Sequence, residues 1–249
     1  MKTTKTSTAL NAALGMTFLA AALYGCSKDD QTLPASTTPD TDYKTTMMLD
    51  YTYDESDLYT IGSCIDSLPY ETLSSEEEAA LTLMREEEYL AHDVYFTLSQ
   101  LYNRPIFSNI AKSEQSHTDA IKALLEKYQL PDPAAAHTIG IFQNPTLQVL
   151  YDGLVTTGSQ SLLNGLITGA TIEDLDIEDI QSLMTTIDNQ DITLVFGNLE
   201  RGSRNHLRSF YANIIRNNGT YTPQYISLEE FDAIVNSPHE TGTGTCPGN

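Results

Sequence analysis

The chain has 249 residues, 40% of them hydrophobic, so it is long enough to form one domain with a substantial core. It carries 34 acidic and 13 basic residues, a formal net charge of −21. Proteins bind nucleic-acid phosphates through clusters of Lys and Arg, so this balance argues against DNA or RNA as a partner. The same charge argues against docking on an anionic membrane surface.

The first 25 residues have the pattern of an export signal. Lys2 and Lys5 form a basic start, and a run of mostly apolar and small residues follows from 9 to 24. That run is too short and too interrupted by polar residues for a secure transmembrane helix. It ends in Leu-Tyr-Gly before Cys26, which resembles the lipobox of bacterial lipoproteins. A plain secretory signal with an incidental cysteine is the alternative.

The lipobox resemblance implies an exported protein that is anchored to a membrane by a lipid on Cys26. The acidic pair Asp29 and Asp30 is similar to a signal that sends some lipoproteins of Gram-negative bacteria to the outer surface. We therefore expect the outer membrane, on its periplasmic face or at the cell surface.

The remainder of the chain divides by composition into three segments. Residues 26–46 are rich in Thr, Ser, Asp and Pro and are predicted to be a flexible tether. The folded domain is expected over residues 47–236, and residues 237–249 are expected to be a flexible tail.

Two cysteines remain beyond the lipobox, Cys64 and Cys246, near the two ends of the predicted mature chain. In an oxidising compartment they can form a disulfide bond, and two unpaired thiols are the alternative. Neither belongs to a Cys-x-x-Cys motif, so the sequence does not support redox catalysis by cysteine.

The first predicted helix carries a carboxylate in its core-facing row. Ser74 or Ser75 can cap this helix, whose first turn is acidic. Apolar residues then recur at steps of three and four, and Glu88 interrupts that row. Glu87 lies in a neighbouring apolar row and is an alternative for the inward position.

The second predicted helix has two polar residues, Glu114 and His117, in the middle of its apolar row. Residues three apart in a helix differ by about 60° in direction and about 4.5 Å along the axis. Both side chains can therefore reach one metal ion.

The third and fourth predicted helices repeat the pattern. Glu173 is the carboxylate in the third core row, and His206 stands in the fourth, with Ser203 three residues before it. Each signal alone is weak, but burying several carboxylates and imidazoles without compensation would cost several kcal/mol per ion. The convergence predicts a cation between the four helices, with a polar network or a water-filled core as the alternative.

The lengths of the connections predict the topology. Short connections around 103–106 and 189–191 join the first helix to the second and the third to the fourth. About thirty residues, 129–159, separate the second and third helices and contain a short apolar helix. This order predicts an all-α protein, a four-helix bundle with one long crossover between helices 2 and 3. A short C-terminal helix is predicted after Ser227.

The helical motifs resemble those of rubrerythrin-type, ferritin-like proteins. That class binds two metal ions through one Glu from each of two helices and a Glu-x-x-His from each of the other two. Ser203 stands where the sixth ligand, a Glu, would be. From about residue 73 to 234 the chain is more closely similar to an uncharacterised ferritin-like family of bacteria and archaea, in which that serine belongs to the motif. The five positions that match the ligand scheme are Glu88, Glu114, His117, Glu173 and His206.

The resemblance implies iron as the metal, most simply a di-iron site, and the carboxylate and imidazole ligands also suit manganese or zinc. With the sixth ligand missing, we expect one metal position to be open. Asp176 or Glu200 could supply that ligand, although Glu200 is expected to be a solvated residue on the exterior. Tyr95 is placed to orient a ligand carboxylate. His92, one turn from Glu88, is either an extra ligand or a surface residue.

The function implied is a di-metal oxidase or peroxidase at the cell envelope. It would use a small oxidant, O2 or peroxide, and an electron donor that the sequence does not identify. The alternative is a non-catalytic surface or periplasmic helical module, with a binding or structural role and a vestigial or purely structural metal site.

Overall fold

The structure, a computed structural model, describes residues 64–241, and in that range the chain forms helices and loops without a β-strand. The predicted all-α class is confirmed. The predicted signal peptide, the whole predicted tether with Cys26, the first part of the predicted domain (47–63) and Cys246 lie outside the described residues. The helices are α1 (Ser75–Tyr102), α2 (Pro105–Lys127), α3 (Pro145–Gly158), α4 (Leu162–Met184), α5 (Gln190–Arg216) and α6 (Leu228–Val235).

Local sequence signals set the ends of these helices. Of the two serines predicted to cap α1, Ser74 is the cap: its hydroxyl accepts from the amide of Glu77, whose carboxylate accepts from the amide of Ser74. The helix ends at Asn103, whose left-handed backbone (φ 47°) allows the chain to reverse. Pro105 then begins α2, where its missing amide hydrogen is not needed.

The four long helices pack as two hairpins. The short connections place α1 against α2 and α4 against α5, and the hairpins meet where α1 contacts α4 and α2 contacts α5. The crossover helix α3 lies on α1 and α4, and α6 lies on α5. As a result α1 is covered by three helices and is buried on more than one face.

The interior has an apolar cluster at one end and an aromatic one at the other. The first is built from residues such as Met84, Ile180 and Phe196. The second contains Tyr95 and Phe210, whose ring centroids are 5.2 Å apart. The predicted ligand positions fall between the two, so their polar side chains lie in a layer closed off by apolar residues on both sides.

Buried carboxylates hold the loops against the helices. Asp174 on α4 accepts hydrogen bonds from the amides of Gln224, Tyr225 and Ile226, which fixes the segment before α6. The residues after α6 also pack on α5, as far as Glu240, whose carboxylate accepts from Arg204. The described residues after α6 thus contact α5 as far as Glu240.

Two further findings bear on the sequence predictions. No helix within residues 64–241 combines the length and apolar character that crossing a membrane requires. Cys64 is buried and takes part in a disulfide bond. Because Cys246 lies outside the described range, its pairing with Cys64 stays a prediction.

Candidate metal centre

The five residues that match the ligand scheme meet in the middle of the structure, one or two from each long helix. They form two groups of possible metal ligands, each with its ligand atoms within 4.8 Å of one another. The first group is Glu88, Glu114 and His117, and the second is Glu114, Glu173 and His206. Glu114 on α2 belongs to both groups and therefore joins them.

The two oxygens of Glu114 face different histidines. Its Oε2 lies 2.8 Å from Nδ1 of His117, and its Oε1 lies 2.8 Å from Nδ1 of His206. Each histidine nitrogen also faces a second carboxylate, that of Glu88 at 3.2 Å and that of Glu173 at 3.3 Å. A carboxylate between two nitrogen–carboxylate pairs is the arrangement that bridges two cations.

The spacing of these atoms fits metal coordination. A cation bound at about 2.0–2.2 Å holds neighbouring N and O ligands about 3 Å apart. The contacts of 2.8–3.3 Å around Glu114 lie in that range. Each group supplies one glutamate, one histidine and one oxygen of Glu114. The two groups therefore offer equal numbers of possible ligands.

Two of the buried carboxylate oxygens lack hydrogen-bond partners, and these support the same interpretation. Oε1 of Glu88 and Oε1 of Glu114 are both buried without a hydrogen-bond partner. Nδ1 of His206 lies 2.8 Å from Oε1 of Glu114, but outside hydrogen-bond geometry. An unsatisfied buried carboxylate oxygen costs on the order of 1–3 kcal/mol or more. A bound cation would satisfy both oxygens.

Polar groups behind the centre fix the orientation of its ligands. Nε2 of His206 lies 3.0 Å from the hydroxyl of Ser113, so a proton on Nε2 can be donated to Ser113 while Nδ1 faces the carboxylates of Glu114 and Glu173. The hydroxyl of Tyr95 donates to Oε1 of Glu173 over 2.5 Å. Tyr95 thus contacts a ligand carboxylate, and its partner is Glu173 on α4.

Burial and charge shift the pKa values of the centre in both directions. Burial raises the pKa of Glu88 and that of Glu173 to about 7, against the opposing effect of the histidines. The pKa of Glu114 is lowered despite burial, because the charges of His206 and His117 stabilise its ionised form. Although burial acts in the opposite direction, Glu114 and Glu88 raise the pKa of His117 to about 10. Protons on the ring supply positive charge where a cation would otherwise do so.

Ser203 and Glu200 on α5 do not join the two groups. Ser203 is buried, and its hydroxyl donates to the carbonyl of Leu199 over 3.2 Å. Glu200 pairs with Arg204 at 2.8 Å and accepts from Gln181, near the surface. Of the two residues predicted as alternative sixth ligands, Glu200 is therefore occupied elsewhere.

Asp176, the other predicted alternative, is buried and faces the centre. Burial raises its pKa well above the ordinary value, and the negative charges of Glu173, Glu88 and Glu114 raise it further. Glu87, the predicted rival of Glu88, is also buried, and its pKa is raised by burial and by the charge of Asp179. Both therefore lie close to the centre without belonging to either group.

The sequence did not predict that two histidines, His92 and His137, contact the same buried carboxylate, that of Asp93. His92 contacts the buried carboxylate of Asp93 at 2.8 Å, so the side chain proposed as an extra ligand is directed away from the two groups. His137, to which the sequence assigned no role, reaches Asp93 from the crossover at 3.2 Å and stacks on Tyr89. The amide of Gly140 donates to the same carboxylate. Asp93 therefore anchors the crossover to α1, a contact that only the long-range fold creates.

Comparison with known families defines the class of protein. Residues 77–238 match the family described as "Uncharacterized protein domain (DUF2202)". That span contains all five residues of the two groups, and it covers well over half of the chain. The chain belongs to this family.

A relative and its solved structure extend the comparison. The chain is 50% identical over 178 residues to "Uncharacterized protein MJ0754" of Methanocaldococcus jannaschii, an alignment covering 72% of this chain and 96% of the relative. The crystal structure of hypothetical protein MJ0754 from Methanococcus jannaschii superimposes with a TM-score of 0.69, covering 70% of this chain and 99% of that one. The fold is thus similar to one observed by crystallography.

Proposed function

We propose that this protein is a ferritin-like four-helix bundle that binds two metal ions in its core and acts as an oxidase or peroxidase. The two hairpins, joined by the long crossover that contains α3, support the ferritin-like topology. The placement of the acidic and imidazole side chains between two apolar clusters supports a buried metal centre.

The observation that carries the proposal is the position of Glu114. Its two oxygens lie 2.8 Å from histidine nitrogens on different helices, so one carboxylate serves two cation positions. Oxygen and imidazole ligands suit iron, with manganese or zinc as alternatives, and a di-iron centre is the form that we favour. Two adjacent iron ions would supply the redox chemistry for reducing a small oxidant, O2 or peroxide.

The chain's own residues bind, orient and shield the centre. His206 is held by Ser113, and Glu173 is held by Tyr95, so neither ligand needs to reorganise when a cation binds. Tyr95 and Phe210 limit the access of water from one end.

We also propose that the protein works at the cell envelope. The lipobox-like sequence before Cys26 supports an exported lipoprotein of the outer membrane, tethered by residues 26–46. The participation of Cys64 in a disulfide bond is compatible with an oxidising compartment.

Metal content and oxygen chemistry test the proposal together. The full chain is freed of metal, loaded anaerobically with Fe(II), and then exposed to O2 or to hydrogen peroxide. We expect two irons per chain and stoichiometric consumption of the oxidant, with ferrous iron converted to ferric iron as followed by Mössbauer spectroscopy. Two irons without consumption of either oxidant would indicate the non-catalytic module instead, and failure to bind iron, manganese or zinc would refute both.

A variant of Glu114 tests whether the bound metal lies at the candidate centre. Glu114→Gln keeps the shape of the side chain but removes the charge and one metal-binding oxygen. It should lower the melting temperature of the metal-loaded protein much more than that of the metal-free protein. An equal fall in melting temperature in the metal-loaded and the metal-free protein would mean that Glu114 has only a hydrogen-bonding role. Glu178→Gln, at an exposed position of α4, is the control.

A further inference from the structure

A narrow cleft lies between α1, α3 and α4, beside the candidate metal centre. Its volume of about 20 Å³ is enough for a water molecule or an ion of similar size. Most of the lining is apolar. The apolar side chains are Leu90, Leu147, Leu150, Leu154, Ile172 and Leu175.

Two carboxyl groups also line this apolar cleft, those of Glu87 on α1 and Asp176 on α4. Their exposed fractions are only 7% and 6%. Glu87 directly precedes Glu88, and Asp176 follows Glu173 by one helical turn, so each lies next to a ligand of a different metal position. The cleft is therefore adjacent to both halves of the centre.

One carboxylate oxygen of Glu87 is not satisfied by the protein that surrounds it. Its Oε2 is buried without a hydrogen-bond partner, although it lines a space that can hold a small particle. No Lys or Arg within residues 64–241 forms an ion pair with it or with Asp176. A cation bound in this small space would compensate the negative charge of the two buried acidic side chains.

We propose that Glu87 and Asp176 form an outer binding position for a divalent cation, through which metal ions pass from solvent to the two inner positions. This inference rests on the proposed metal centre. Two carboxylates completed by water are sufficient for transient binding of a hard divalent cation. Glu87 and Asp176 would hold the cation as carboxylates, and Glu88 and Glu173 would bind it in their place as it moves inward.

The opposite edge of the centre is less suited to this passage. His117 is the only one of the five inner residues with appreciable exposure, its side chain being 12% accessible. Its ring fills that edge, since the α-carbon of Gly202 lies too close to the ring to leave room for even a methyl group. A metal ion entering at that edge would require the His117 ring to move aside, whereas the cleft under α3 already has space for an ion.

The test measures uptake of metal rather than activity. The metal-free full chain is mixed with Co(II) in a stopped-flow instrument, and binding is followed by the visible absorption of the cobalt. For Glu87→Gln with Asp176→Asn we expect uptake at least tenfold slower than in the wild type, ending at the same two ions per chain. Glu178→Gln, an acidic position on α4 that is exposed, should leave the rate unchanged.

Each other outcome overturns the proposal. An unchanged uptake rate in the double variant would exclude the route. A loss of one of the two bound ions at equilibrium would make these residues permanent ligands instead. A wild type that binds no cobalt would refute the metal centre itself, which separates that failure from failure of the route. Should the double variant fail to fold by circular dichroism, the single variants Glu87→Gln and Asp176→Asn provide the same comparison.

Discussion

Gly202 on α5 lies against the imidazole ring of His117 on α2. A methyl group at position 202 would come within 2.6 Å of Cε1 and Nε2 of that ring, closer than real contacts allow. The glycine therefore sets where the His117 ring can lie, and with it the distance of 2.8 Å between Nδ1 and Glu114.

The variant Gly202→Ala should displace this ring and weaken the metal position formed by Glu88, Glu114 and His117. Affinity for a metal at one of the two positions should fall by about 10–100-fold, the usual effect of disturbing a ligand's support. Isothermal titration of the metal-free chain with Co(II) or Mn(II) measures this as one weakened site beside one unchanged site.

Gly197→Ala is the matched control, on the same helix. A methyl group there meets no atom within 4 Å, so the change should stabilise the chain by about 0.5–1 kcal/mol and leave both metal affinities unchanged. Equal metal binding by the two variants would mean that the His117 ring adjusts freely and that Gly202 has no positioning role.

The choice between Glu87 and Glu88 shows where sequence reasoning stops. Periodicity placed both residues on apolar faces of α1, and the structure buries both, at 7% and 2% exposure. Helix α1 packs against α2, α3 and α4, so burial alone does not distinguish the two residues. Only the docking of the crossover assigns Glu87 to the cleft and Glu88 to the group with His117.

Patterns among residues close in the chain predicted more of the structure than burial did. The connection lengths and the three-residue spacing of Glu114 and His117 depend on neighbours in the chain, so the helices and the converging polar row could be predicted. Contacts between distant residues, such as that of Asp93 with His137, depend on how the crossover lies on α1 and carry no local signal. The partner of Tyr95 likewise emerged only from the packing of α4 on α1.

Ser113→Ala should weaken the other metal position. The hydroxyl of Ser113 lies 3.0 Å from Nε2 of His206 and can accept a proton from it, which supports the tautomer whose Nδ1 can bind a cation. Without it, we expect a loss of about 10-fold or more in affinity at the position formed with Glu173. Nitrogen-15 NMR of the histidine rings in the metal-free protein would show the change of tautomer directly. Ser108→Ala, which removes a hydroxyl bonded to the carbonyl of Pro105, should alter neither quantity.

Tyr95→Phe removes the hydroxyl that donates to Glu173, leaving a buried carboxylate oxygen without that partner. We expect a loss of about 1–3 kcal/mol in the free energy of unfolding of the metal-free chain, measured in urea, and weaker binding at the position of Glu173 and His206. Tyr102→Phe is the control, because its hydroxyl donates to the carbonyl of Gly158, away from the ligands. It should lower stability while keeping metal binding intact. Loss of metal affinity in both variants would indicate a general effect of packing.

The attachment of the C-terminal segment to α5 should depend on pH. Hydrogen bonds from Arg204 lower the pKa of Glu240 to about 2, with Arg208 adding to the effect against partial burial, whereas an ordinary glutamate has a pKa of 4.5. Because the pKa is lower in the folded state, this contribution to stability is fully present above about pH 4.5 and is lost as the pH falls through about 2.

Hydrogen exchange at the amide of Glu240, which donates to Asn205, measures that attachment. Its protection factor should fall with acidification before that of amides in the middle of α5. In Glu240→Gln the protection should already be lower at neutral pH and should change little on acidification, since the titrating group is gone. If the protection factor of the wild type stays constant down to about pH 2, the two arginines do not hold the segment in place. The contacts of Asn205 with the backbone of Glu240 would then be sufficient to hold it.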